Sequence, residues 1–421
     1  MQLEKPKLFP EKNTFIGVIL FFLLVILIRL FFEYQAYQQF ISKPFYYTHA
    51  KVLHAYQKSK GNKRYQVLKL RSEEGLTFYT TNYSKDNFNH KRLRLQIFPN
   101  KNISFFNYLG TFYVKSRIKA QELLPVTVKD TLLEKVASQH EKSSLQSFYN
   151  AIFFATLMKK ELREKISMLG VSHLVALSGF HLGILWGLVY GLILLLYRPL
   201  QQHFFPYRHA LFDVGLTAMI LLGTYVWFVD FPPSLLRSYA MVLVGWIVLL
   251  LGLELLSFTF LTTIILILAA LFPSLLVSLG FGLSVAGVFY IFLLLQYSKG
   301  VKTWIISLIF IPLGIFILML PIVHTVFPVT SGYQLLSPLL SLLFIPFYPF
   351  VMGLHLLGLG SLFDTGLLAL FALPKSSTES LLPIWAVLGY IGISIGAIWS
   401  KKLFWSVMGL ALLYANYLFL L

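Results

Sequence analysis

The sequence contains no cysteine. That excludes disulfide scaffolds, thiol catalysis, iron–sulfur clusters and cysteine-built zinc sites, and it leaves the redox compartment open. Charge is scarce as well. Only 12% of the 421 residues are Asp, Glu, Lys or Arg, against about 25% in soluble domains. Hydrophobic residues make up 57% and mean hydropathy is +0.72. Acidic residues are the scarcest of all, 17 against 35 Lys and Arg, for a net charge of +18. A surplus of that size points to an anionic partner: nucleic acid, an acidic polymer or anionic lipid. There is no Gly-x4-Gly-Lys-Ser/Thr loop, so nucleotide hydrolysis by a P-loop mechanism is excluded. A His-x-His-x-Asp-His cluster for a two-metal hydrolase is also missing. No cofactor, metal or catalytic residue is therefore expected, and an energy source or nuclease belongs on another chain. What is present is the composition of a polytopic membrane protein.

The charge is unevenly placed. Residues 33–170 carry 23 basic and 10 acidic residues, which supplies 23 − 10 = +13 of the +18, whereas residues 171–421 carry only eight and five. Residues 1–13 read as a cytoplasmic N-terminus with Lys5, Lys7 and Lys12. Residues 14–32 are an apolar run interrupted only by Arg29, long enough for a first transmembrane helix. A cleavable signal peptide is the rival reading, but the run is too long and Glu33, Tyr34 and Gln35 replace a small-residue cleavage site.

Residues 33–126 have strand periodicity. Tyr46–Tyr56, Tyr65–Leu70, Leu76–Thr81, Leu93–Phe98 and Phe112–Ile118 read as short strands, with turn clusters at 58–63 and 73–75. Five such strands suit a small closed barrel of the OB type, and an antiparallel sheet packed on the membrane would read the same way. Residues 127–170 turn helical and amphipathic, with Leu132, Leu133, Val136, Leu145 and Phe148 among lysines, as in helices lying on a bilayer surface.

Residues 171–421 are nearly continuous membrane span. Candidate helices fall near 171–197, 210–229, 234–251, 258–272, 276–297, 303–322, 336–357, 361–373, 382–399 and 403–420. With the first helix this predicts a polytopic α-helical protein of about 10–11 membrane segments carrying an extracytoplasmic, β-rich OB-like domain. Arg198 and Arg208, Lys299 and Lys302, and Lys401 and Lys402 should share the cytoplasmic side with the N-terminus of this inner-membrane protein. The basic segment then faces outward, against the charge bias, a placement tolerated for long translocated domains.

Lys51, Lys58, Lys60, Lys63, Arg64, Lys69, Arg71, Lys91, Arg92 and Arg94 lie on or beside the predicted strands. Tyr46, Tyr47, Tyr56, Tyr65, Phe78 and Tyr79 are interleaved with them. Cationic grooves with aromatic platforms hold single-stranded nucleic acid without sequence preference. The alternative is an aromatic barrel core with lysines that only solvate its exterior. Within the apolar region, polar residues are densest at Val171–Gly183. There His173 and His181 flank Ser178 and Gly179, in a stretch otherwise apolar enough to insert. A pore-lining or packing role, a Ser–His nucleophile and a metal site all remain open. His-x7-His alone is a weak ligand pattern, and no orienting acid lies nearby. Arg237 follows Pro232 and Pro233 by about one helical turn. It either pairs with Asp213 or Asp230, or projects into a water-filled path where a guanidinium suits phosphate. His324, His355, Glu254 and Asp364 read as isolated packing or interface residues.

These residues resemble a known family. "HLVALSGFHLGIL" (173–185) looks like the signature of ComEC competence proteins, His-Leu-x-Ala-x-Ser-Gly-x-His, matched at His173, Leu174, Ala176, Ser178, Gly179 and His181. "PSLLRSYAMVLVGW" (233–246) is similar to the family's Pro-Ser-x-x-Arg-x-x-x-Met stretch, at Pro233, Ser234, Arg237 and Met241. "FPSLLVSLGFGLSVAGV" (272–288) resembles a third segment, with Phe272 and Gly282 where Asp and Gln are common. "FPVTSGYQLLSPLLSLLFIP" (327–346) fits a fourth, with Ser337 where Asn is frequent. The resemblance implies a channel that passes single-stranded DNA across the cytoplasmic membrane during natural transformation, its OB domain outside. It also implies a short form without the C-terminal metallo-β-lactamase-like domain of many members. Implied partners are sequence-independent single-stranded DNA, membrane lipid, a periplasmic DNA-binding protein, and a cytoplasmic helicase or translocase with single-strand-binding proteins; pairing with a second copy of the chain is common among membrane channels, but nothing in the sequence demands it. The rival class is a permease for a small or acidic metabolite with a basic accessory domain. A third reading is an intramembrane hydrolase using Ser178 and His181.

Overall fold

A computed structural model of the chain describes residues 8–9, 11–60, 63–84, 86–252 and 257–420. It divides into two units, residues 11–127 with 265–281, and residues 128–264 with 282–420.

The first unit begins with α1 (Lys12–Ser42), which outruns the apolar stretch by ten residues. Its apolar part packs Phe22, Val25 and Ile26 against Leu266, Ala269 and Ala270. Its last turns carry Tyr37 and Phe40, which dock on the β-domain. Tyr37 Oη donates to the Ile103 carbonyl at 2.7 Å, and the Phe40 ring meets Tyr108 and Phe112 at 5.5 and 5.6 Å. Strands β1 (Tyr46–Lys60), β2 (Lys63–Ser72), β3 (Thr77–Asn82) and β4 (Lys91–Phe98) follow, then the short α2 (Phe105–Leu109), β5 (Phe112–Tyr113) and β6 (Lys115–Leu123). The sheet order is β5-β3-β2-β1-β4-β6. β5 and β6 are separated only by Val114, whose N–H donates to the Tyr79 carbonyl at 2.9 Å. The two ends of the order are thus one continuous segment, and the sheet returns on itself. Alternation sends Leu68, Leu70, Phe78, Leu93, Leu95 and Ile97 inward, all at most 1% exposed.

β1 bridges both halves of this ring, pairing through Tyr46–Lys51 with β4 and through Ala50–Lys60 with β2. A bulge between Val52 and His54 shifts its phase. Odd-numbered Tyr47, His49 and Lys51 face outward before it, and His54, Tyr56 and Lys58 after it. The turn after β2 is pinned by Glu74, which accepts from Tyr46 Oη at 2.8 Å and Thr48 Oγ1 at 2.9 Å. The carboxylate's hydrogen bond, then burial, pushes the Tyr46 phenol up to about 12. Burial would raise Glu74, but the bonds from Tyr46 and Thr48 outweigh it and hold the carboxyl below its usual range.

The second unit opens with α3 (Val128–Ala137), α4 (Ser143–Phe154), α5 (Lys160–Met168) and α6 (Ser172–Val175). α4 departs from the expected surface-lying helix. Leu145, Phe148, Tyr149, Ala151, Ile152, Phe153 and Phe154 are all buried, so most of its circumference is core. α7 (Gly179–Phe204), α8 (Ala210–Phe228), α9 (Pro233–Leu250), α10 (Phe258–Leu271) and α11 (Leu279–Tyr297) follow. Next, α12 (Thr303–Ile305) runs through a π-helical stretch into α13 (Ile311–Val323). The chain then forms α14 (Ser337–Leu356), α15 (Asp364–Phe371), α16 (Ile384–Gly396) and α17 (Lys401–Leu420). Among the described residues, seven helices are long and apolar enough to cross a membrane, and four apolar helices are shorter. All eleven fall where the hydropathy pattern put candidate spans. Interhelical bonds tie the later ones together: Tyr290 Oη with Ser394 Oγ at 3.0 Å, Tyr390 Oη to the Leu318 carbonyl at 2.9 Å, and Tyr297 Oη to the Ala397 carbonyl at 2.6 Å.

Candidate functional site

The expected helix over 171–197 is broken. α6 stops at Val175, Ala176–Ser178 are extended or nearly so, and α7 starts at Gly179. A break in apolar surroundings leaves backbone groups that need partners. Here Ser234 Oγ donates to the Leu177 carbonyl at 2.6 Å. Gly179 lets the second turn of α9 approach, since a Cβ there would stand 2.8 Å from Ser238 Oγ. Ser238 is held in place by its own bond to the Ser234 carbonyl at 2.9 Å. Arg237 lies between these two serines in sequence and is 9% exposed. The side chain of Pro233 lies outside the described residues.

The same break meets α14. His173 Nε2 lies 3.2 Å from Ser341 Oγ, and Ser337 Oγ donates to the Gly170 carbonyl at 3.1 Å. Gly170 has a φ of +69°, with Gln334 atoms 3.2 Å from where its Cβ would be, so glycine serves both needs. Ser178 Oγ is 3.4 Å from His181 Nδ1. The His181 ring sits edge-on to Phe344 and Tyr348, and its Nε2 is buried without a hydrogen-bond partner among the described residues. A Ser–His nucleophile would need an orienting group on that nitrogen. No group of three or more His, Asp or Glu among the described residues is arranged to hold a metal ion. His173 differs from His181 in being exposed.

Three of the four motif segments therefore converge: 173–185, 233–246 and 327–346. The expectation that Asp213 pairs with Arg237 is corrected. α8 and α9 run antiparallel, with Tyr239 bonded to the Met219 carbonyl at 3.0 Å and Trp246 against Gly215. That order puts Asp213 at the far end of the pair from Arg237. Asp213 is bound by Arg208 at 2.7 and 2.9 Å and by Tyr197 at 2.5 Å. Asp230 is bound by Lys129 at 2.8 Å. Sequence reading also missed a cluster: His355 and Asp364 are not isolated but joined through His140. His324 does conform to a packing role, held by the Leu320 carbonyl and Thr330 Oγ1, each at 3.0 Å. Glu254 lies outside the described residues.

Gly179→Ala is expected to cost about 1–3 kcal/mol by overpacking against Ser238. Gly183→Ala, with nothing within 4 Å of its Cβ position, should stay within about 0.5 kcal/mol of wild type. Thermal unfolding of the two purified variants side by side checks the contrast.

In the first unit, the outer face of the sheet gathers most of the basic and aromatic candidates. Lys51 is directly opposite Arg71 on β2 and Arg92 on β4. Three cations in one cross-strand row are unfavourable unless an anion neutralises them; Glu73 forms an ion pair with Arg92. Beside this row, Lys69 pairs with Tyr79 and with His54. Lys69 Nζ stands over the Tyr79 ring, Lys58 over Tyr56 and Arg94 over Tyr47, at 5.7, 5.8 and 6.0 Å. Tyr47 is 48% exposed. Tyr65, opposite Lys58, packs near Tyr83, and Arg64 is exposed. The side chains of Lys60 and Lys63 lie outside the described residues. The two readings of the aromatics thus divide by residue: Phe78 is core, whereas Tyr47, Tyr56, Tyr65 and Tyr79 line the outer surface.

A β-domain, a long N-terminal apolar helix and a many-helix unit with a broken, polar-bearing helix define a multi-pass membrane protein. The family model "Competence protein" matches residues 155–420, well over half of the chain, and the chain belongs to that family. Membership assigns it a role in DNA uptake during competence. No curated protein and no solved structure matches it.

Proposed function

We propose that the chain is the channel through which single-stranded DNA crosses the cytoplasmic membrane during transformation. The observation that carries this is the meeting of three motif segments at the α6–α7 break, within the unit that the family model covers. A broken helix supported by side-chain hydroxyls is how membrane proteins place polar backbone beside a water-filled path. His173 and Ser178 line that path, with Gly179 and His181 shaping the break. Arg237, one turn into α9, meets the phosphates, and Pro233 sets where that helix begins. The β-domain faces outward and is of the OB type: β1 pairs with β2 and β4, and β3 pairs in parallel with the start of the last strand. Lys51, Lys58, Lys60, Lys63, Arg64, Lys69, Arg71, Arg92 and Arg94 hold phosphates there, and Tyr47, Tyr65 and Tyr79 offer stacking surfaces. Neither unit carries catalysis. Cytoplasmic helicase and single-strand-binding proteins draw the strand inward, and a periplasmic protein delivers it.

The test is transformation of a deletion strain with labelled DNA, scoring surface capture and cytoplasmic arrival separately. Capture without arrival supports the channel. Unimpaired arrival overturns it and leaves the permease reading in its place.

A further inference from the structure

His140, in the link between α3 and α4, sits at the centre of a buried chain of hydrogen bonds. Its Nδ1 lies 2.9 and 3.0 Å from the two carboxylate oxygens of Asp364 at the start of α15. Its Nε2 lies 2.9 Å from His355 Nε2 on α14. His355 Nδ1 in turn lies 2.6 Å from the Val351 carbonyl. A carbonyl only accepts, so His355 carries a proton on Nδ1. The contact between the two Nε2 atoms needs a second proton, and the contact with the carboxylate a third. Two neutral imidazoles and an ionised carboxylate supply only two.

The third proton makes the group net neutral, whether it rests on the carboxyl or on an imidazole. Burial alone disfavours an imidazolium. Without the third proton, however, one of the three bonds is unmade and the carboxylate is left as an uncompensated charge beside a His140 ring with 0% exposure. We propose that Asp364, His140 and His355 form a proton-binding site whose shared proton latches α4 to α14 and α15. The chain ends on a backbone carbonyl, which cannot pass a proton on, so the site stores a proton rather than conducting one. It loads through Asp364, whose side chain is 17% exposed.

The surroundings hold this geometry. Tyr149 of α4 stacks on His140 at 4.4 Å and 9°. Burial, then the Asp364 charge, raises its phenol, which stays protonated. Gln139 Nε2 donates to the His355 carbonyl at 3.0 Å while its Oε1 accepts from the Gly360 N–H at 2.8 Å. A Cβ at Gly360 would lie 2.6 Å from both Gln139 Oε1 and His355 Nε2. The nearest charges on the flanking segments, Glu134, Lys135, Glu141 and Lys142, are exposed. α14 adds no ionisable side chain besides Tyr348 and His355, and α15 none besides Asp364.

The experiment is hydrogen exchange of α4 amides in the full chain, reconstituted in lipid nanodiscs between about pH 7.5 and 9.5 and corrected for intrinsic exchange. Well above the free imidazole value of about 6.5 the opened state holds two neutral imidazoles and an ionised carboxylate, one proton fewer than the latched state, so latching weakens as pH rises there. Above about pH 7.5 the drop in protection should approach tenfold per pH unit, up to the latched state's own value. In D364N the amide N–H donates to His140 Nδ1, and all three bonds form with neutral imidazoles. Above about pH 7.5, where the opened state's imidazoles are neutral too, its protection should then be independent of pH. Wild-type protection that does not change with pH overturns the proposal, as does a D364N slope equal to wild type. The wild-type slope is read without any substitution, so a misfolded variant does not shelter the idea.

Discussion

Replacing Lys51, Arg71 and Arg92 together by glutamine is expected to weaken single-stranded DNA binding by the full chain about 100-fold at 0.1 M salt. The estimate follows from counterion release, about 0.7 of log–log salt slope per phosphate contact on single strands, so three contacts lower the slope by about 2. Their adjacency across β2, β1 and β4 lets one stretch of backbone engage all three. The substitutions lie on the outer surface of the ring, where the fold tolerates change within about 0.5 kcal/mol. Fluorescence anisotropy of a labelled oligonucleotide at several salt concentrations reads both quantities. Unchanged affinity and slope would remove this face from DNA binding.

Phe78→Ala is expected to destabilise the β-domain by about 3–5 kcal/mol, the range for truncating a buried phenylalanine. Phe78 is fully buried, and its ring stacks on Phe112 at 5.8 Å, on the strand segment that closes the ring through β3. The cavity would open at that closure. Hydrogen exchange of β2 and β3 amides, compared between wild type and variant, measures the loss; under about 1 kcal/mol would mean that the core collapses around the gap. Tyr79→Ala, one residue along and on the opposite face, should instead leave stability nearly unchanged and reduce DNA stacking, by about 1–3 kcal/mol per base lost.

Much of this was legible in the sequence because it is local. A two-residue period separates Phe78 from Tyr79 whatever the strand pairs with, and a run of some twenty apolar residues marks a helix wherever it packs. The break at Ala176–Ser178 was half legible: Gly179 and Gly183 both permit close approach, but only the fold shows that Ser238 comes to the first and nothing to the second. α4 was misjudged because its lysines lie just outside the helix, at Lys142 and Lys159, so a buried element looked amphipathic. The His140, His355 and Asp364 chain was invisible. His140 precedes the other two by more than 200 residues, and no spacing rule connects it to them. Proximity along the chain offers Arg237 either of two carboxylates or a water-filled path, and the antiparallel course of α8 and α9 removes Asp213.

The bulge in β1 has a further consequence for how this strand tolerates change. Leu53 is the residue by which the strand exceeds its partner, so deleting it would leave His54, Tyr56 and Lys58 facing as they do and would mainly straighten a bend. A one-residue insertion or deletion between Tyr46 and Lys51 has no such slack. It would turn Tyr47, His49 and Lys51 inward and push Ala50 and its neighbours into water. Length variation among related chains should therefore collect at a single point of β1.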